Sequence, residues 1–264
     1  MTSLPILEFD PQRSAILEPH PPLISIPVPP GAVICFFADV LAALLAEGRL
    51  VEVGAMGSEI GRHPVYAMQQ GDRQVLVFHP GVGAPLAAGL LEEMIGLGVK
   101  NFIACGGCGV LDAQIIAGHP VILTSAVRDE GTSYHYLPPE RLAVAGPRAT
   151  AALGRVLQRS GLEFRMGISW TTDAIYRETV ARRALRLAEG CVVVEMEAAA
   201  FFAVAQFRGV ELGQIVYGGD LVVPEGWDGR AWHTRTADRR LMFELAADAL
   251  LELLGEEGGQ AGCN

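Results

Sequence analysis

Apolar residues along this chain gather into short dense clusters separated by gaps that carry glycine, proline or charge. Ala32-Val33-Ile34-Cys35-Phe36-Phe37 is a continuous apolar run, as expected of a strand covered on both faces. A helical stretch follows through Leu45. Val65 to Gln69 and Gln74 to Phe78 predict two strands about a Gly71-Asp72 turn. After the Gly81-Val82-Gly83-Ala84-Pro85 loop, Leu86, Leu90, Met94 and Leu97 recur at helical spacing and mark one apolar face. Asn101 to Cys105 predicts a buried strand that ends in Gly106-Gly107-Cys108-Gly109. Further strands are predicted at Val121 to Val127, Phe164 to Ser169, Val192 to Val194 and Leu212 to Tyr217, with helices near 148–160 and over Ala198 to Phe207. In the last helix Glu244, Asp248 and Glu252 predict a solvated face, with Met242, Leu245 and Ala249 opposite.

Strands that alternate with helices predict an α/β fold, a three-layer α/β/α domain with a central mixed sheet. Residues 1–30 hold eight prolines and predict an extended arm, lying along the body or reaching a neighbouring subunit. Residues 31–254 are expected to form a single domain, and the glycine-rich 255–264 an unstructured tail. Ligands of such sheets bind beyond the carboxyl ends of the strands. The loops expected to matter are therefore 79–85, 105–110, 128–135, 169–178, 195–197 and 218–220.

Composition narrows the function. The formal net charge of −10 speaks against a nucleic-acid partner, which needs a basic face. No apolar run approaches the ~20 residues of a membrane helix, and no secretory signal is visible, so a cytoplasmic protein with no membrane partner is expected. Five cysteines, an odd number in mostly apolar or glycine-rich settings, fit a reduced compartment. Cys105-Gly106-Gly107-Cys108 spells C-x-x-C without the context of a redox helix or a zinc site. The histidines show no metal-ligand spacing, and no dinucleotide fingerprint opens a helix.

The chemistry concentrates in Val194-Glu195-Met196-Glu197-Ala198, where a buried strand meets a helix. An ionised carboxylate accepts two hydrogen bonds at once, as the vicinal hydroxyls of a ribose require, and methionine suits the apolar face of a sugar. The same carboxylates would also favour the positive end of a helix.

The order and spacing of these segments resemble the nucleoside phosphorylase/nucleosidase superfamily over roughly residues 31–254. The Glu-Met-Glu motif at 195–197, the glycine loop 81–85, the central segment Gly106-Gly107-Cys108-Gly109-Val110-Leu111, the stretch from Arg128 to Tyr136 and Thr171-Thr172-Asp173-Ala174-Ile175-Tyr176 carry the likeness. It implies a nucleoside phosphorylase-like fold and cleavage of an N-glycosidic bond with no metal or organic cofactor. It further implies that Glu197, with Glu195, Met196 and His135, binds the ribose. Thr172, Ile175, Tyr176 and Asp220 would meet the base, and Asp220 would protonate it as it leaves. By its sequence alone, Asp220 after Gly218-Gly219 could also cap a turn. A nucleoside and inorganic phosphate are the implied partners, in a homo-oligomer, a dimer or a hexamer.

The likeness fails at the nucleophile. Phosphorylases of this family carry a Gly-Asp-Pro-x-Arg loop after the first strand, and this chain has Cys35-Phe36-Phe37-Ala38-Asp39-Val40. Ala104 and Tyr66 stand where further family arginines fall, and Gly107 replaces a hydroxyl residue. Glycine nests remain at Gly81–Gly83 and Gly106–Gly109, and Arg128 is a candidate guanidinium. Alternatively the nucleophile is water activated by Asp39, which by position is also an ordinary helix N-terminal acid. Thr179 and Ala181 replace the residues that read uracil, so a protonatable, purine-like base is expected. Three readings stay open: phosphorolysis, hydrolysis, and binding without catalysis. The loop 226–233, with Trp227 and Trp232, is either a lid or an interface.

Overall fold

The computed structural model describes residues 4–260, with side chains through Glu256. The chain forms one mixed sheet flanked by helices. Its strands are β1 Gly31–Cys35, β2 Leu50–Ser58, β3 Gly61–Gln70, β4 Arg73–Phe78, β5 Asn101–Val110, β6 Pro120–Asp129, β7 Leu142–Val144, β8 Arg165–Thr172, β9 Cys191–Glu195, β10 Glu211–Val223 and β11 Gly226–Asp228. The helices are α1 Ala38–Ala46, α2 Ala84–Leu97, α3 Pro147–Ser160, α4 Val180–Ala188, α5 Ala198–Arg208 and α6 Thr236–Gln260.

Two cores sandwich the sheet. On one face Leu90, Leu91 and Met94 of α2 and Phe201, Phe202 and Val204 of α5 pack against β1, β4, β5 and β6. On the other, Leu44 of α1, Leu153 and Leu157 of α3 and Phe243, Leu250 and Leu253 of α6 pack against the opposite sides of the same strands. This is the expected three-layer α/β/α arrangement.

The sheet also closes on itself. β10 pairs with both β5 and β6, and β6, β8, β9 and β5 follow in hydrogen-bonded order, so these strands form a ring. β1, β4, β3 and β2 extend from it as an open sheet. The carboxyl ends of β8 and β9 and the later parts of β5 and β10 therefore converge on one rim.

Two segments expected as loops lie inside strands. Gly106–Gly109 belongs to β5 and Gly218–Asp220 to β10; the two strands pair in register as far as Cys108 and Gly218 and, after a register shift that spans Gly219 and Asp220, again at Val110 and Leu221. Their glycines permit close approach. A Cβ on Gly109 would come within 2.8 Å of Val194, and one on Gly218 within 2.9 Å of the Ile116 carbonyl oxygen. Asp220 thus projects from a strand and does not cap a turn.

The expected start of α2 moves forward to Ala84. Gly83 takes φ 91°, a conformation that favours glycine, and Pro85 sits in the first turn, where its missing N–H costs nothing. The expected tail is a helix as far as Gln260. Glu252 and Glu256 of α6 hold Arg155 and Arg159 of α3 and so bind this last stretch to the body; residues 261–264 lie outside the described residues. The same face of α6 is not free in solvent: Glu244 pairs with Arg49 at 2.6 Å and with Arg240 at 2.8 Å. The proline-rich arm lies along the body, where Ser25 N–H donates to the Val53 carbonyl at 2.9 Å. Among the described residues no helix is long and apolar enough to cross a membrane.

Candidate active site

The rim is organised by Glu195, the last residue of β9. Parallel pairing of β8 with β9 sets Thr171 opposite Glu195. Glu195 Oε1 accepts from Ser169 Oγ at 2.8 Å and from Thr171 Oγ1 at 2.5 Å. Its Oε2 accepts from the N–H groups of Glu197 at 2.7 Å and Ala198 at 2.6 Å. The first amides of a helix have no partner within it, and a carboxylate there satisfies them and meets the positive end of the dipole. Glu195 is therefore spent on the protein. It was expected to bind ribose, and its lone pairs instead fix the geometry of Glu197. Burial raises its proton affinity, against the pull of these hydrogen bonds.

Glu197 precedes α5 and is 6 % exposed. Its Oε1 accepts the Gly83 N–H at 2.6 Å, which ties the start of α5 to the glycine loop before α2. Burial, with the charge of Glu195 adding to it, pushes the carboxyl up to about 8. The Gly83 N–H works in the opposite direction. Met196 lies beside it on the cavity wall.

That wall encloses about 880 Å³. Gly106, Gly107, Met196, Glu197 and Asp220 are among the residues that line it. Trp227 and Trp232 bring the 226–233 loop into its lining. Trp227 Nε1 donates to Asp220 Oδ2 at 2.7 Å. Ile175 and Tyr176 line the mouth, and Tyr176 is 93 % exposed. Thr172 does not reach the cavity: it is buried, and its Oγ1 accepts the Ala174 N–H at 3.2 Å, holding the turn that carries Ile175. His135 is exposed and outside the cavity.

The two candidates for the nucleophile site are both engaged elsewhere. Arg128 is 3 % exposed, and its guanidinium donates to Ser133 Oγ at 2.8 Å and to the carbonyls of Pro138 at 2.7 Å and Leu137 at 3.1 Å. It organises the loop after β6 and presents no fork to the cavity. Asp39 stands in the first turn of α1 and accepts from Arg239 Nη1 at 3.0 Å. The glycine nest is also occupied: Gly83 N–H serves Glu197, and Gly81 N–H donates to His79 Nδ1 at 3.0 Å. Burial lowers the His79 pKa, and its Nε2 lies 3.2 Å from the Phe36 carbonyl oxygen, which makes Nε2 the protonated nitrogen. Phe36 fills the space above Gly106 and packs edge-on to His79.

Arg239, Tyr217 and Glu178 also line the cavity. Arg239 of α6 is the guanidinium on the cavity wall among the described residues. Its Nε lies 3.3 Å from Tyr217 Oη and its Nη2 3.3 Å from the Trp232 carbonyl oxygen, and it lies over the Phe37 and Trp232 rings. The Tyr217 ring packs close to Gly107, where a Cβ would lie 3.3 Å from its edge. No local pattern points to Arg239, which is brought in by the packing of α6. Glu178, two residues after Tyr176, also lines the cavity, and its nearness to the 175–176 segment was a signal available in the sequence. Cys105 and Cys108 are buried free thiols, and Cys108 Sγ donates to the Tyr217 carbonyl at 3.2 Å.

A family model described as the phosphorylase superfamily matches residues 30–254. The chain belongs to the phosphorylase superfamily. Guanosine phosphorylase of Halorubrum lacusprofundi is 35% identical over 135 residues, 51% of this chain and 56% of that protein. Uridine phosphorylase of Treponema pallidum is 31% identical over 172 residues, 60% of this chain and 67% of that protein. Uridine phosphorylase of Haemophilus influenzae is 28% identical over 155 residues, 53% of this chain and 62% of that protein. The alignments thus span a little over half to two thirds of these superfamily relatives. Among solved structures, AMP nucleosidase from Bacteroides thetaiotaomicron superposes with a TM-score of 0.71 over 88% of this chain and 91% of its own, at 21% identity. Uridine phosphorylase from Vibrio fischeri gives 0.71 over 85% and 93%, also at 21% identity. Both establish the phosphorylase-superfamily fold.

Proposed function

We propose that this protein cleaves the N-ribosyl bond of a nucleoside by phosphorolysis, giving free base and ribose 1-phosphate. The observation that carries this is the placement of Glu197: a buried carboxyl at a helix start, held by Glu195 and Gly83, lining a cavity that Asp220 also lines. Glu197 would take the ribose hydroxyls, and Met196 the apolar face of the sugar. The sugar becomes cationic as the bond breaks, and a carboxylate then interacts more strongly than in the ground state. Asp220, with Trp227 and the rim residues Ile175 and Tyr176, would meet the base. The names of the curated relatives favour phosphate as acceptor. Arg239, reached through Tyr217 from the Gly107 side, is the group we assign to it, since a guanidinium suits phosphate geometry.

Hydrolysis is the second reading. Phe36, Phe201 and neutral His79 make the region beyond Gly106 apolar, and Arg239 already holds Asp39. Residues 31–254 would act as one catalytic unit in a homo-oligomer, dimer or hexamer, whose neighbour covers the exposed Tyr176.

Phosphorus-31 NMR of the protein with a ribonucleoside and inorganic phosphate tests the assignment. A new sugar phosphate ester growing with the free base supports phosphorolysis. Base release with the phosphate signal unchanged makes water the nucleophile.

A further inference from the structure

Besides Glu195 and Glu197, two carboxyl groups line the cavity, those of Asp220 and Glu178. Asp220 comes from β10, and Glu178 from the turn between Ile175–Arg177 and α4. Trp227 Nε1–H donates to Asp220 Oδ2 at 2.7 Å, so one oxygen of Asp220 is already engaged as an acceptor. Glu178 is different. Among the described residues its half-buried side chain makes no hydrogen bond and no ion pair.

The neighbouring charges are committed elsewhere. Arg183 of α4 donates to the carbonyls of Val222 at 2.6 Å and Leu111 at 2.5 Å. Arg182 reaches Asp129 at 3.6 Å, and Asp173 accepts the Gly131 N–H at 2.9 Å. Arg177 is exposed, Glu195 caps α5, and Glu197 holds Gly83. The charge that acts on Glu178 is that of Asp220, and with burial as the larger cause it pushes the Glu178 carboxyl up to about 7.

We propose that Glu178 carries the proton delivered to the departing base, with Asp220 as the charged neighbour that keeps this proton in place. The proposal rests on the ribosyl-cleavage reading and names the substrate class: nucleosides whose base leaves through a protonatable ring nitrogen. As the C1′–N bond breaks, its electron pair goes to the base nitrogen, which takes the proton from Glu178. The acceptor oxygen bonds C1′. The proton lost by the attacking phosphate or water returns to Glu178 through solvent. A general acid works best when its pKa lies near the working pH.

The test compares the parent protein with Glu178→Gln on inosine and on an N7-methylated purine nucleoside, whose base is already cationic and leaves without a proton. Glu178→Gln should slow inosine cleavage ~10²-fold or more, and the loss on the methylated nucleoside should be at least about tenfold smaller. In the parent, kcat/KM on inosine should fall on the alkaline side as Glu178 loses its proton, with the need for an ionised Glu197 limiting the acid side, and Asp220→Asn should move the alkaline limb to lower pH, because the like charge is gone. Infrared difference spectra of the substrate-free protein should show a protonated carboxyl near pH 6.5 that Glu178→Gln removes. Equal losses on both nucleosides, or no such carboxyl band, would overturn the proposal. A parent that releases base from neither nucleoside would overturn the ribosyl-cleavage reading itself, and the assigned role with it.

Discussion

Glu195 and Glu197 stand two residues apart, and their carboxylates have opposite duties. Glu195 has given its oxygens to Ser169, Thr171 and two backbone amides, while Glu197 accepts from Gly83 and lines the cavity. One acid is a structural cap and the other is left for a ligand. Several expectations depend on that division.

Glu195→Ala removes an acceptor from four donors in the buried rim. Unmet buried donors and a lost helix cap should cost about 2–4 kcal/mol of stability. Thermal denaturation should show a clearly lower midpoint, and any activity should fall with the displacement of Glu197. Thr171→Val, which removes one of the four, should cost less, about 1–2 kcal/mol.

Glu197 makes stability depend on pH with a defined sign. Its carboxyl titrates at about 8 in the folded protein, against 4.5 for an unperturbed glutamate. Between those values the folded chain binds more protons than the unfolded one, so stability is fully present below the lower value and is lost as pH rises through the upper. Glu197→Gln has no such proton to lose. Denaturant titrations from pH 5 to pH 9 should show the variant gaining on the parent by more than about 1.4 kcal/mol, the equivalent of a tenfold change in proton affinity. In activity the same variant should raise KM and lower kcat together, since the carboxyl serves both binding and the cationic sugar.

Asp220→Asn should leave nucleoside binding nearly intact and slow purine substrates chiefly at and above neutral pH, because Glu178 then gives up its proton more readily. Calorimetric titration and initial rates, taken on the same preparation, separate the two effects. Full activity on every substrate would remove Asp220 from the reaction.

Arg239 is the test of the phosphate site. Arg239→Gln keeps a polar planar end but loses the charge and part of the fork. It should raise KM for phosphate ~10-fold or more, as expected when a charge-assisted bond is lost, and leave the KM for nucleoside within about twofold. Asp39→Asn should move phosphate affinity the other way, because it releases the guanidinium that Asp39 now holds at 3.0 Å.

Much of the fold could be read from continuous apolar runs, because β1, β5 and β9 are buried on both faces and carry no competing period. β2 left no such trace. A register shift between Glu52 and Gly54 breaks its alternation, so its buried positions Leu50, Val53 and Met56 do not follow a period of two. α4 was equally silent, since Val180 and Leu185 are exposed and its buried residue is Arg186. At the site, Met196, Glu197, Ile175, Tyr176, Asp220, Gly106 and Gly107 were brought to one cavity. Arg128 and Asp39 were not, because each found a protein partner that no local pattern encodes. Arg239 and Tyr217 come together only when α6 packs on the sheet, a relationship between distant segments that spacing along the chain cannot express.

The central claim is that this cavity breaks a bond between ribose and base. The most direct measurement is release of free base from inosine, guanosine, adenosine, uridine and methylthioadenosine, followed chromatographically with and without phosphate. The account predicts base from at least one purine nucleoside, faster with phosphate, and strongly diminished in Glu197→Ala. Release from none of them under either condition, by folded protein, would contradict it.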